Sequence, residues 1–217
     1  MRLRLTFTKS GGLRYIGHLD LQTLWERTVR RAGLPLAYTQ GFHPGPKIQI
    51  AAALPLGFIG QAEIVDLWLD EPDPGAGSRQ LQEMQARLQA ASPPGLNITS
   101  AQAVEERGPA LQTQVSSAAY EVLLLEAEDL PALQARISGL LEAQQLPRQR
   151  RGRDYDLRPL IEALTLDASS GAPRLQMLLS ARAGATGRPE EVLDSLGIPA
   201  EAARVERTQL ILQEAVK

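Results

Sequence analysis

From Asp20 to Ala32 apolar and small side chains recur at helical spacing, at Leu21, Leu24, Trp25, Thr28, Val29 and Ala32. Glu26, Arg27, Arg30 and Arg31 take the other face. Gly33 then supplies a left-handed stop and Pro35 forbids resumption. No other feature constrains the fold as much: the stripe needs an apolar surface to lie on, and the chain must reverse directly after it. Beyond the reversal lies a loop, Gln40–Lys47 (QGFHPGPK), whose two glycines and two prolines fix an unusual backbone path. The apolar segment Lys47–Leu54 (KIQIAAAL) follows. A loop held between an amphipathic helix and an apolar strand is where a rigid scaffold usually carries function. The same composition also suits a purely structural turn.

The surface for the stripe is supplied by strands. RLRLTFT at residues 2–8 alternates, with Leu3, Leu5 and Phe7 on one side. Ala62–Leu69 (AEIVDLWL) reads as the hairpin partner of Lys47–Leu54. Asp70–Gly77 (DEPDPGAG) is a break, Ser78 caps a second helix with Leu81, Met84 and Leu88 buried, and Leu96–Val104 is a further strand. The order is β-α-β-β-α-β, in which two crossover helices cover one face of an antiparallel sheet and leave the other available. Glu105–Ser116 is polar and reads as a linker. The order then repeats through a strand at Ala119–Glu126 and a helix at Asp129–Gln144. Strand-like segments in Asp154–Asp167 and a strand at Arg174–Ala181 come next. A short helix at Arg188–Leu196 and a strand at Arg204–Gln213 close the set. LRPLIEAL, inside the second repeat, equally begins as a helix. The expected class is α+β, two ferredoxin-like (βαββαβ) units in tandem, over residues 1–106 and 117–217.

The chain has no cysteine, which excludes disulfides, thiolate zinc sites and cysteine nucleophiles. With only His18 and His43 as imidazoles, 25 positions apart, and no suggestive carboxylate cluster, no metal site and no cofactor is expected. No apolar run reaches the ~18–20 residues of a membrane span, and the N-terminus lacks the continuous apolar region of a signal peptide. A soluble, cytoplasmic protein without a membrane partner is expected. Net charge is −2, yet residues 1–47 carry eight Lys/Arg against Asp20 and Glu26, a local excess of +6. Such asymmetry suggests an anion-binding face on an acidic body, or ordinary solvated charge.

Two chemistries can be built on these residues. In the first, Arg14, Arg27, Arg30, Arg31 and Lys47 contact RNA phosphates, joined by the second basic run Arg148, Arg150, Arg151 and Arg153, within which Tyr155 is placed to stack on a base. The structural alternative for Arg30 and Arg31 is the negative end of the helix dipole, and for the second run a charged hairpin edge. In the second, His18 near a helix N-terminus and His43 in the loop act as base and acid in metal-independent RNA cleavage, with cations steadying the phosphorane. The loop would then sit beside the N-terminal end of the first helix. Pro44 and Pro46 remove two amide donors, and no nucleotide-binding glycine motif exists.

The segments LRYIGHLDLQTLWERTVRRAGLPLAYTQGFHPGPKIQIAAALPLG, AEIVDLWL, DYDLRPLIEAL, GRPEEVL and RVERT resemble the radical-SAM-linked family carrying the DUF2344 domain, across nearly the whole chain. That resemblance implies a radical-SAM protein as partner, an RNase E/G-type ribonuclease as a neighbour, and RNA-linked biology involving tRNA or rRNA. Paired ferredoxin-like units also resemble CRISPR RNA-processing proteins and pseudouridine synthases. The leading expectation is a non-catalytic RNA-binding accessory protein that presents RNA to a radical-SAM RNA-modification enzyme. A metal-independent endoribonuclease using His18 and His43 is the first alternative. A protein–protein module that stabilises the radical-SAM partner is the second.

Overall fold

The computed structural model describes residues 1–70, 77–126, 129–169 and 171–213. The chain divides into two compact units, Met1–Val115 and Ser116–Gln213. Most of the break read at Asp70–Gly77 lies outside the described residues.

In the first unit β1 (Arg2–Lys9) leads through a 3-10 turn (Gly11–Tyr15) into α1 (His18–Arg31). There follow β2 (Ile48–Ile50), β3 (Ile59–Trp68), α2 (Ser78–Ala91), β4 (Leu96–Val104) and the short α3 (Leu111–Gln114). Strand order is β2-β3-β1-β4, with antiparallel pairing throughout. Leu3, Leu5 and Phe7 are fully buried, together with Val65 and Leu67 of β3 and Trp25 and Val29 of α1. Phe7 meets Trp25 edge to face, ring centroids 5.0 Å apart. Each fully buried side chain of this size contributes about 1.5–3 kcal/mol, so this face is what holds α1 down.

Two local differences from the sequence reading have simple causes. Helix α1 starts at His18, two residues early, because the Gly17 amide donates to the Asp20 carboxylate at 3.2 Å and satisfies the helix start. Helix α2 is capped by Gly77, with Ser78 already its first residue. At the other end of α1 the stop is as expected: Gly33 has φ +64°, and the Arg87 guanidinium of α2 donates to the carbonyls of Ala32 and Gly33 at 2.8 Å. Those carbonyls would otherwise lack partners.

The opposite face of this sheet departs from expectation, because part of it is covered. Arg2 and Arg4 are 1% and 9% exposed and share the carboxylate of Asp66, itself 0% exposed. Arg2 also donates to the carbonyls of Gly108 and Pro109, and Arg4 to the Gln114 amide oxygen. The segment read as a linker therefore folds over the sheet's polar side. Lys9 is likewise buried, donating to the Ile16 carbonyl at 3.0 Å. Three of the eight cations counted in residues 1–47 are thus interior.

The second unit contains β5 (Val115–Leu124), α4 (Leu130–Glu142), the ribbon β6 (Pro147–Arg150) and β7 (Arg153–Asp156), and β8 (Ile161–Asp167). β9 (Arg174–Arg182), β10 (Ala185–Thr186), α5 (Pro189–Ser195) and β11 (Ala203–Leu212) complete it. Its principal order is β8-β9-β5-β11, with β10 also on β9 and the β6–β7 ribbon as a separate sheet. Asp129 caps α4 by accepting from the Ala132 amide, and Pro131 sits in the first turn where no donor is needed. In LRPLIEAL, residues Arg158–Leu160 form a 3-10 turn and the strand begins at Ile161. The chain is α+β, built from antiparallel strands and helices.

Candidate nucleic-acid interface

The Gln40–Lys47 loop is a closed hairpin with a defined stem. The Thr39 amide donates to the Gly45 carbonyl at 2.8 Å, and the Gly45 amide returns to the Thr39 hydroxyl at 3.0 Å. The Lys47 amide reaches the Ala37 carbonyl at 2.8 Å, and Ala37 is tied to Trp68 at the end of β3. Gly41, at φ +138°, turns the tip. With its stem closed and no apolar neighbour above it, the tip carries Phe42 wholly into solvent, 102% exposed. His43 beside it is also exposed.

This stem stands against the last turns of α1, where the Tyr38 hydroxyl lies 3.4 Å from both Arg30 and Glu26. Arg30 is paired with Glu26 at 2.8 Å yet keeps a 69% exposed side chain. The Tyr38 hydroxyl, and then Glu26, hold its pKa above the ordinary arginine value. Arg27 and Arg31 are exposed on the same side of α1, and Lys47 is exposed at the stem. Among the described residues no ion-pair partner engages Arg27, Arg31 or Lys47. Arg27, Arg30 and Arg31 thus share the exposed side of α1, with Tyr38 against Arg30 and Phe42 at the loop tip. Lys47, alternating with the buried Ile48 and Ile50, turns to the other face of the sheet beside Gln49 and Trp68. Phe42 was not singled out in the sequence, although an aromatic between Gly41 and Pro44, outside any periodic pattern, has no core to join.

Arg14 and His18 belong to the other end of α1. The Arg14 carbonyl accepts from the Gly57 amide at 2.8 Å, and its guanidinium lies 5.1 Å from the Tyr15 ring centre. The loop therefore stands at the end of α1 opposite His18, not beside its N-terminus, because its stem is tied to Trp68. Roughly 12–18 Å of helix axis separates His18 from Glu26 and Arg30, which the stem touches, at ~1.5 Å per residue. Among the described residues no hydrogen bond joins either imidazole to a partner.

The second basic run has a different environment. Arg150 is held by Glu191 of α5 at 2.6 Å and donates to the Thr186 carbonyl at 3.2 Å. Its guanidinium also lies 4.8 Å from the Tyr155 ring centre and donates to the Tyr155 hydroxyl at 3.2 Å. Burial works against the charged guanidinium, and Glu191 outweighs it, leaving Arg150 above its ordinary pKa. Burial, followed by Glu191, pushes the Tyr155 phenol up. Arg148 bonds the Ser195 hydroxyl at 2.5 Å and pairs with Asp194 at 3.2 Å. Arg148, Arg150 and Tyr155 thus dock the ribbon onto α5, and Arg150 covers one face of the Tyr155 ring. Only Arg151, at the turn with φ +51°, and Arg153 are left exposed from this run.

Among the described residues no group of three or more His, Asp or Glu side chains is placed to hold a metal ion. No described helix is long and apolar enough to cross a membrane.

No curated protein matches this sequence. Among solved structures the chain is similar to one described as an unknown protein from Galdieria sulphuraria, 12% identical over 98% of each chain. With a TM-score of 0.26, that likeness carries no argument about fold. Residues 2–189 match the family described as an uncharacterized protein conserved in bacteria (DUF2344), and the chain belongs to that family.

Proposed function

We propose that this chain is an RNA-binding accessory protein, receiving tRNA or rRNA on the C-terminal half of α1 and its adjoining loop and presenting it to a radical-SAM RNA-modification enzyme. One observation carries the reading: among the described residues Arg27 and Arg31 of α1 and Lys47 at the loop stem stand exposed without carboxylate partners, and the rigid loop holds Phe42 in solvent. Cations of this kind bind a phosphate backbone, and an exposed aromatic stacks on a base irrespective of sequence. Two ferredoxin-like units are part of the reading, supported by the equivalent strand orders β2-β3-β1-β4 and β8-β9-β5-β11.

An accessory protein also needs a surface for its enzyme. Tyr15, Leu19 and Leu56, 66%, 76% and 64% exposed, lie around the start of α1 and offer apolar area away from Arg27, Arg30 and Arg31. They favour a protein–protein role as the second reading. A nuclease built on His18 and His43 has no comparable support, since the two are mounted at opposite ends of α1.

The test is direct binding of the purified chain to tRNA and to single-stranded RNA, with Phe42→Ala as comparison. Phe42 touches no core, so folding should be unchanged while single-strand affinity falls about five-fold or more, the loss expected for one stacked base. No binding to either RNA would reject the reading and leave the protein–protein role.

A further inference from the structure

Beside the foot of the loop is a cavity of about 350 Å³ lined by Thr39, Pro46, Lys47, Ile48, Gln49 and Trp68. Its volume lies at the lower end of the range for small-molecule sites, the size of a single planar ring system with its substituents. The walls are specialised. Trp68 is held in place because its indole N–H donates to the Glu106 carbonyl at 3.3 Å and the Arg2 guanidinium lies 4.7 Å from its ring centre. Gln49 is fixed too: its amide oxygen accepts from the Leu111 N–H at 2.9 Å. A backbone N–H can only donate, so that bond assigns the oxygen and leaves the NH2 group of Gln49 as the donor to offer. Thr39 is held by the Gly45 amide, and Lys47 brings a positive charge with no ion-pair partner among the described residues.

An aromatic wall, an amide donor and a cation around a slot of this size match one ligand chemistry. We infer that the cavity takes a single unpaired nucleobase of RNA, stacked on the face of the Trp68 indole opposite the Arg2 guanidinium, with an acceptor atom on Gln49 NH2 and a flanking phosphate on Lys47. Every nucleobase offers a π-face and at least one ring-nitrogen or carbonyl acceptor, so this arrangement selects unpaired over paired residues more than one base over another. The inference rests on the RNA-binding reading and narrows it to RNA with an accessible single-stranded position. Duplex RNA, whose bases are stacked and paired, leaves the cavity empty.

Tryptophan fluorescence reports on this site. The chain has two tryptophans, and Trp25 is 0% exposed in the core, so a ligand-induced change in emission comes from Trp68. The full chain is titrated with a short single-stranded RNA and with an abasic ribose-phosphate oligomer of equal length and charge. The inference predicts that both bind through their phosphates, that only the base-bearing RNA quenches tryptophan emission, and that it binds roughly ten-fold tighter. Trp68→Phe, which keeps an aromatic wall, should abolish the quench while retaining most of the affinity. Lys47→Gln should weaken both oligomers alike. Equal affinity for the two oligomers with unchanged emission would overturn the nucleobase site and leave the α1 surface standing as the RNA contact. Failure of both to bind would overturn the RNA-binding reading itself, and the nucleobase site with it.

Discussion

The two arginine-rich stretches look alike in sequence and behave oppositely in the fold. Each joins several arginines to a nearby aromatic. On α1 the side chains radiate from one helix face, Glu26 pairs with Arg30, and among the described residues no carboxylate pairs with the exposed Arg27 and Arg31. In the β6–β7 ribbon the arginines of one strand lie under α5, whose Glu191 and Asp194 neutralise Arg150 and Arg148. Charge counted along a chain is therefore not charge available to a ligand. What decides availability is whether a carboxylate from elsewhere in the sequence folds onto the cluster. Arg2 and Arg4 are the extreme case, two cations spent on one buried Asp66.

The most severe way to break this comparison is at that buried end. Asp66→Ala leaves two guanidiniums interior without their carboxylate, and stability should fall by about 3–5 kcal/mol, measured by urea denaturation. A change below about 1 kcal/mol would mean that Arg2 and Arg4 find water or new partners. Next in size is Glu191→Gln. It removes the charged partner of Arg150, whose hydrogen bonds of this type contribute about 1.5–3 kcal/mol when buried and less here, where both side chains are partly exposed. The melting temperature should drop modestly. RNA affinity should rise if the released guanidinium becomes available, which would turn a locked cluster into an open one.

The smallest effect concerns acid. The Ser169 hydroxyl and amide both donate to Asp167 and hold its carboxyl below the usual aspartate range. Its folded pKa is depressed, so the stability it contributes is complete above the unfolded value near pH 4 and vanishes as pH falls through the folded pKa. Asp167→Asn should lower the urea midpoint slightly at pH 7 and leave it unchanged near pH 2. An equal shift at both pH values would assign the effect to packing.

Much of this was legible in the sequence, and the exceptions share a cause. The alternation of Leu3, Leu5 and Phe7, the stripe of α1 and the Gly33 stop are local patterns, and β4 runs over Leu96–Val104 as read. Period alone also puts Arg2 and Arg4 on the polar side of β1. It cannot show that residues 105–114 fold back to bury them, because that contact spans more than a hundred positions. The Arg150–Glu191 pair, 41 positions apart, is hidden for the same reason. The loop's rigidity was readable from its glycines and prolines. Its location at the far end of α1 from His18 depends on the pairing of Ala37 and Lys47 with the end of β3.

The central claim, that the α1 surface is open and the ribbon is locked, has one direct measurement. It is the salt dependence of single-stranded RNA binding for the wild type, for Arg27→Gln/Arg30→Gln/Arg31→Gln, and for Arg148→Gln/Arg150→Gln. The account predicts weaker binding and a slope flatter by about 0.7 per lost phosphate contact, roughly 2 in all, for the α1 variant, with the ribbon variant keeping the wild-type slope. An unchanged slope in the α1 variant, or a flattened one in the ribbon variant, would contradict it.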